Sequence, residues 1–166
     1  MKTYDIAVLP GDGIGVEVTD AALAILRAVE PRIARRLVTT VHPAGAAHYQ
    51  ATGAALPPST LDACRRADAV LFGAMGLPNV RATDGTEIIP QLDLRFALDL
   101  YAGVRPVRTW PGLPVPLADP RAAQIDLVLV RESTEGLFHA RGRGRVQRGG
   151  ADGPMTLSRA GAGREG

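Results

Sequence analysis

Short apolar runs alternate with stretches of helical periodicity over the first hundred residues. Tyr4 to Leu9 is an apolar run that ends in Pro10-Gly11-Asp12-Gly13-Ile14-Gly15, and Val18, Ala21, Ala22, Ile25, Leu26 and Val29 then recur every three or four positions. A short apolar run reads as a buried strand and the 3.6-residue period as an amphipathic helix, so this segment predicts strand, glycine loop, helix. Leu37 to Val41 predicts a second strand after a loop containing Pro31, and Pro57-Pro58-Ser59-Thr60 marks the start of a helix reaching about Ala67, because proline suits the first helical turn. Ala69 to Phe72 is a third strand. This alternation predicts an α/β fold with a parallel-rich sheet flanked by helices.

The stretch from Gly73 to Gly85 is rich in Gly, Pro, Asn and Asp. It predicts a loop at the carboxyl end of the third strand, where open α/β sheets tend to bind ligands. A helix from about Ile88 to Leu98 leads into an extended segment from Tyr101 to Trp110. A proline-rich connection, Pro111 to Pro120, follows, and Ile125 to Val130 is the most strand-like run of all. From Arg141 onward glycines alternate with arginines and large apolar residues nearly vanish, a composition that cannot build its own core. That tail reads as an arm, as an aberrant remnant or, with no aromatic interleaving, more weakly as an RNA contact. The organisation expected is residues 1–100 as part of a first α/β domain, 101–140 as the start of a second, and 141–166 as arm or tail.

Composition narrows the function classes. An apolar fraction of 46% over 166 residues allows one substantial core. No apolar run approaches the about 18 residues of a membrane span, and the first residues lack the pattern of a secretory signal, so the expected location is the cytoplasm. A formal charge of +2 argues against nucleic acid as a main partner. Cys64 is the only cysteine, which excludes an intrachain disulfide or cysteine cluster. Lys2 is the only lysine, so chemistry that needs a buried lysine has no candidate here.

Two features could carry chemistry. The glycine loop lacks the third glycine of the dinucleotide fingerprint, Val16 standing in its place, and a tight strand-to-helix turn explains it as well. Arg95, Arg105 and Arg131 come from three separate elements. Arginine binds carboxylates with a rigid two-pronged fork, so the three suit a substrate with two or more carboxylates if they converge. Each taken alone also reads as a solvated surface charge.

Four segments in order resemble the β-decarboxylating dehydrogenases, the isocitrate and isopropylmalate dehydrogenase family with its tartrate dehydrogenase-like members. They are the run Leu9 to Val18, Leu94-Arg95 with Leu98-Asp99-Leu100-Tyr101, Val104-Arg105-Pro106-Val107-Arg108, and Val130-Arg131-Glu132-Ser133-Thr134-Glu135-Gly136-Leu137. The resemblance covers roughly Asp5 to Arg145. It implies an isopropylmalate dehydrogenase-like fold, and NAD(P)-dependent, Mg²⁺- or Mn²⁺-assisted oxidation and decarboxylation of a malate-like 2-hydroxy diacid, in a homodimer whose arm begins near Leu137 to Val146.

By the same resemblance Arg95, Arg105 and Arg131 would hold substrate carboxylates, and Gly73, Ala74, Met75 and Gly76 would lie beside the nicotinamide. Leu92 would face the substrate's variable group, while Gln91 and Asp93 suit something more polar, such as a tartrate-like or unsubstituted malate. Where many members have a tyrosine that helps protonate the enol, this chain has Phe138, and the neighbouring His139 would point to the opposite face of a strand. The family's catalytic lysine, metal-binding aspartates and adenosine-binding segment have no counterpart here. The resemblance therefore implies an amino-terminal half, incomplete and inactive alone. The alternative is a non-catalytic module that keeps a dicarboxylate site.

Overall fold

The computed structural model describes residues 1–132 and, as backbone, the strands Arg145–Gln147 and Thr156–Ser158. Two compact units make up the chain, Met1–Leu98 and Asp99–Gly166.

In the first unit β1 (Lys2–Leu9), α1 (Ile14–Val29), β2 (Arg35–Val41), α2 (Ala46–Thr52), α3 (Pro58–Arg66), β3 (Ala69–Phe72) and α4 (Pro90–Ala97) follow one another. The strands form a parallel sheet in the order β2-β1-β3, as the alternation of elements predicts. β1 is the central strand and supplies Ala7, Val8 and Leu9, the tightest part of the core. Successive crossovers step to opposite sides of β1, and right-handed connections then place α1 on one face and α2 and α3 on the other. Ala7 and Leu9 accordingly pack with Cys64 of α3 and Leu94 of α4, with Leu61, Val70 and Met75 around them. Val8 points to the other face by strand alternation and is equally sealed.

Local chemistry sets the element boundaries. α1 begins at Ile14, ahead of the periodic run, because Gly13 turns the chain with φ 54°. Pro90 opens α4 after a non-helical Ile89, and Asp99 at φ 51° follows its end, so this helix is shorter than its hydrophobic pattern. The side chain of Glu30 accepts the Leu37 amide at 2.8 Å and anchors the entry to β2. α2 carries no apolar period and escapes sequence analysis. Its first amides are held instead by a side chain from the β1–α1 loop, described below.

In the second unit β4 (Ala102–Arg108) and β5 (Asp126–Glu132) pair antiparallel, from Ala102 opposite Glu132 to Arg108 opposite Asp126. No long crossover helix separates them. The proline-rich connection contains only a short 3₁₀ turn, Pro120–Gln124, closed where the Asp119 carboxylate accepts the Arg121 amide at 2.9 Å, so the chain can fold back directly beside itself. β6 (Arg145–Gln147) and β7 (Thr156–Ser158) form a second antiparallel pair.

Candidate cofactor and substrate site

β1 and β3 are adjacent and parallel, so the loops leaving their carboxyl ends emerge side by side. This is the usual ligand-binding edge of an open α/β sheet. The ladder runs on beyond β3, with the Gly73 amide donating to the Leu9 carbonyl at 2.8 Å, and the Asp12 amide donates to the Ala74 carbonyl at 2.8 Å. A side chain at Gly11 would meet the Ala74 carbonyl oxygen at 2.1 Å, and one at Gly73 would meet the Pro10 carbonyl oxygen at 2.0 Å. Gly11 also sits at φ 78°. The glycines thus let two loops touch backbone to backbone, which accounts for their spacing without a phosphate.

Between these glycines stands a residue that sequence analysis did not single out. Asp12 is 4% exposed. Its Oδ2 accepts the amides of Ala46 at 2.6 Å and Gly76 at 2.8 Å, and its Oδ1 accepts that of Ala47 at 2.8 Å. An ionised acceptor makes these bonds stronger than neutral ones, and the carboxylate also complements the positive end of α2. The only sequence signal was an acid between glycines, which by itself reads as an ordinary turn residue.

Beyond Gly76 the loop borders an open cavity of about 350 Å³ lined by residues including Met75, Gly76, Leu77, Pro78, Ile88 and Gln91. An Arg81–Glu87 ion pair of 2.8 Å stands at its rim. The Gln91 side-chain oxygen is buried without a hydrogen-bond partner. Leu92 and Arg95, further along α4, are half-buried and do not line this cavity.

The register of β4 and β5 settles where two of the arginines point. Arg131 lies opposite Gly103 and Arg105 opposite Leu129. Opposed residues share a face, and so do residues two apart on one strand. Arg105 and Arg131 therefore project from the same face of the ribbon as diagonal neighbours, about 7–8 Å apart at their backbones. Arg95 belongs to α4 in the first unit. Phe138, His139 and the stretch from Ser133 to Leu137 lie outside the described residues, as does the side chain of Val146.

Among the described residues no group of three or more His, Cys, Asp or Glu side chains could hold a metal ion, so those residues do not fit a Mg²⁺ or Mn²⁺ site. Cys64 is buried against the sheet, and burial pushes its thiol above the ordinary range. It is a packing residue. No helix among the described residues is long and apolar enough to cross a membrane.

Comparison with known proteins agrees with this architecture. The isocitrate/isopropylmalate dehydrogenase family matches residues 5–160. Similar proteins include the 3-isopropylmalate dehydrogenase of Thermobifida fusca, 43% identical over 141 residues, which are 85% of this chain and 40% of that protein. That of Escherichia coli is 40% identical over 153 residues, 87% of this chain and 41% of the relative. The solved isocitrate dehydrogenase of Methylococcus capsulatus superimposes with a TM-score of 0.67 at 28% identity, covering 93% of this chain and 42% of that one. The chain belongs to the isocitrate/isopropylmalate dehydrogenase family. It spans about two fifths of the length of the curated relatives it matches.

Proposed function

We propose that this chain is the amino-terminal portion of an NAD(P)-dependent, metal-assisted dehydrogenase acting on a malate-like 2-hydroxy diacid such as 3-isopropylmalate, isocitrate or tartrate. The observation that carries the reading is the arginine pair: Arg105 and Arg131 share one face of the β4–β5 ribbon in a family of dehydrogenases. Their forks would take a carboxylate, and Arg95 a second one. As carbon dioxide leaves, negative charge gathers on the enolate oxygen, and fixed positive charge lowers the energy of that state.

Gly73, Ala74, Met75 and Gly76 would hold the nicotinamide, because their backbone is fixed and the neighbouring cavity admits a ring. When bound, a nicotinamide supplies an acceptor for the hydrogen on the hydroxyl-bearing carbon. What these residues do is hold the ring in place and exclude water from one side of it. Leu92 and Gln91 would select the group on the diacid's third carbon.

The described residues carry neither a metal site nor a lysine beyond exposed Lys2, so we assign no proton transfer to them and propose that the 166 residues alone do not turn over. Metal and adenosine sites would lie in the part of the relatives that this chain does not span, and the whole protein would work as a homodimer.

A reduced-nicotinamide absorbance assay with Mg²⁺ or Mn²⁺, either cofactor, and isopropylmalate, isocitrate, tartrate or malate tests this. Turnover by the chain alone contradicts the half-site reading. Silence together with diacid binding supports either the half-site or a non-catalytic dicarboxylate-binding module, and restored turnover on adding the carboxyl-terminal part of a relative selects the half-site.

A further inference from the structure

We propose that Asp12 is a positioning residue for the cofactor: its carboxylate fixes the backbone of the Gly73–Gly76 loop and, as a buried negative charge within the glycine loop, bars phosphate from it. The inference rests on the reading of Gly73 to Gly76 as the nicotinamide loop.

One carboxylate joins three points distant in sequence. Gly76 is 64 residues away, Ala46 is 34 and Ala47 is 35. The Asp12 main chain holds the same loop a second time, through its amide to the Ala74 carbonyl at 2.8 Å. Two bonds therefore bracket Met75, one on each side. Gly76 has φ 114°, one of several conformations open to glycine, and Asp12 Oδ2 accepts its amide at 2.8 Å, which selects this one.

The surroundings are built around the carboxylate. A side chain at Gly45 would lie 2.5 Å from Asp12 Oδ2 and 2.7 Å from Oδ1, and Gly45 sits at φ 120°. The pocket for Asp12 exists because position 45 has no Cβ.

The charge has a second consequence. Glycine loops that bind nucleotides offer free amides to a phosphate. Here the amides of Ala46, Ala47 and Gly76 already point at an internal anion. A phosphate arriving at the glycine loop would meet the buried negative charge of Asp12. The nucleotide's phosphates are thus directed away from the Gly11–Gly15 turn, while its ring meets a loop whose shape Asp12 sets.

Amide hydrogen exchange and nitrogen–proton correlation spectra of the full 166-residue chain test this, with Asp12→Asn as the variant and Leu61→Ala as a control. Leu61 packs on the core from α3, so its truncation lowers stability without removing a hydrogen bond between Asp12 and the loop. In the parent chain the Gly76 amide should exchange on the order of a hundredfold slower than a free loop amide. Asp12→Asn should abolish most of that protection and weaken binding of reduced nicotinamide mononucleotide about tenfold, as loss of a charged hydrogen bond implies. Leu61→Ala should do neither beyond its global loss of stability.

Millimolar pyrophosphate should leave the Gly11 to Gly15 amide signals unmoved. An unprotected Gly76 in the parent chain overturns the proposal, a result that needs no variant and holds even if Asp12→Asn does not fold. Full protection in Asp12→Asn, or glycine-loop signals that move with pyrophosphate, overturns it as well. If the mononucleotide does not bind the parent chain, the cofactor reading fails and the role in cofactor placement falls with it. The exchange data then still decide whether Asp12 shapes the loop.

Discussion

Replacing Gly73 with alanine separates the two reasons a glycine can be required. Its φ is outside the left-handed region, so alanine costs nothing there in backbone strain and would ordinarily gain about 0.4–1 kcal/mol by restricting the unfolded chain. Packing reverses the sign. The new Cβ would sit 2.0 Å from the Pro10 carbonyl oxygen and 2.7 Å from the Thr19 hydroxyl, and Thr19 is only 3% exposed. Relief requires the β1 and β3 ends to part by roughly 1 Å or more, since comfortable contacts lie near 3.5 Å.

Such a movement lengthens the 2.8 Å bonds from Gly73 to Leu9 and from Asp12 to Ala74. Overpacking of this kind costs about 1–3 kcal/mol, and each weakened bond adds about 0.5–1.5 kcal/mol. We expect a net destabilisation of about 3 kcal/mol, read as the shift in urea midpoint by far-ultraviolet circular dichroism at unchanged slope. Gly53 is the reference. It has φ 78° but nothing within 4 Å of an added Cβ, so Gly53→Ala should cost only about 1 kcal/mol, from conformation alone. If Gly73→Ala costs no more than Gly53→Ala, the backbone-to-backbone packing of the two loops is refuted.

Three further outcomes follow from the same geometry. Thr60 is 1% exposed and its hydroxyl donates to the Pro43 carbonyl at 2.8 Å, so Thr60→Val should lose about 1–2 kcal/mol in the same denaturation measurement. The Cys64 thiol is raised by burial, so the folded chain holds its proton longer than the unfolded chain. That contribution is complete below the unfolded value of about 8.5 and is lost as pH rises through the higher folded value. Denaturation midpoints should therefore fall above about pH 8.5, and more steeply than in Cys64→Ala. Finally, Val104, Val128 and Val130 are all more than half exposed on one face of the β4–β5 ribbon. An environment-sensitive apolar dye should bind there, and Val128→Lys with Val130→Lys should remove about half or more of the signal.

The legible parts of this fold are those where one pattern acts alone. Ile6 to Leu9 and Ala69 to Phe72 announce β1 and β3 because each is an unbroken apolar run, and the helical period after Gly15 announces α1. α2 has no such pattern. Its start depends on Asp12, 34 residues earlier, a tertiary cause with no local trace. The pairing of β4 with β5 is also invisible in either strand, yet that register puts Arg105 and Arg131 on one face. Asp12 is illegible for a related reason: a carboxylate between glycines has the local pattern of a turn residue, and the three amides it serves lie 34, 35 and 64 residues away.

If Arg105 and Arg131 together hold a diacid, calorimetric titration of isopropylmalate, isocitrate, tartrate and malate into the chain will show it. At least one acid should bind, and Arg105→Gln or Arg131→Gln should weaken it about tenfold or more, as removal of one charged hydrogen-bonding partner requires. No binding by the parent chain, or equal affinity in the parent chain and both variants, would contradict the claim.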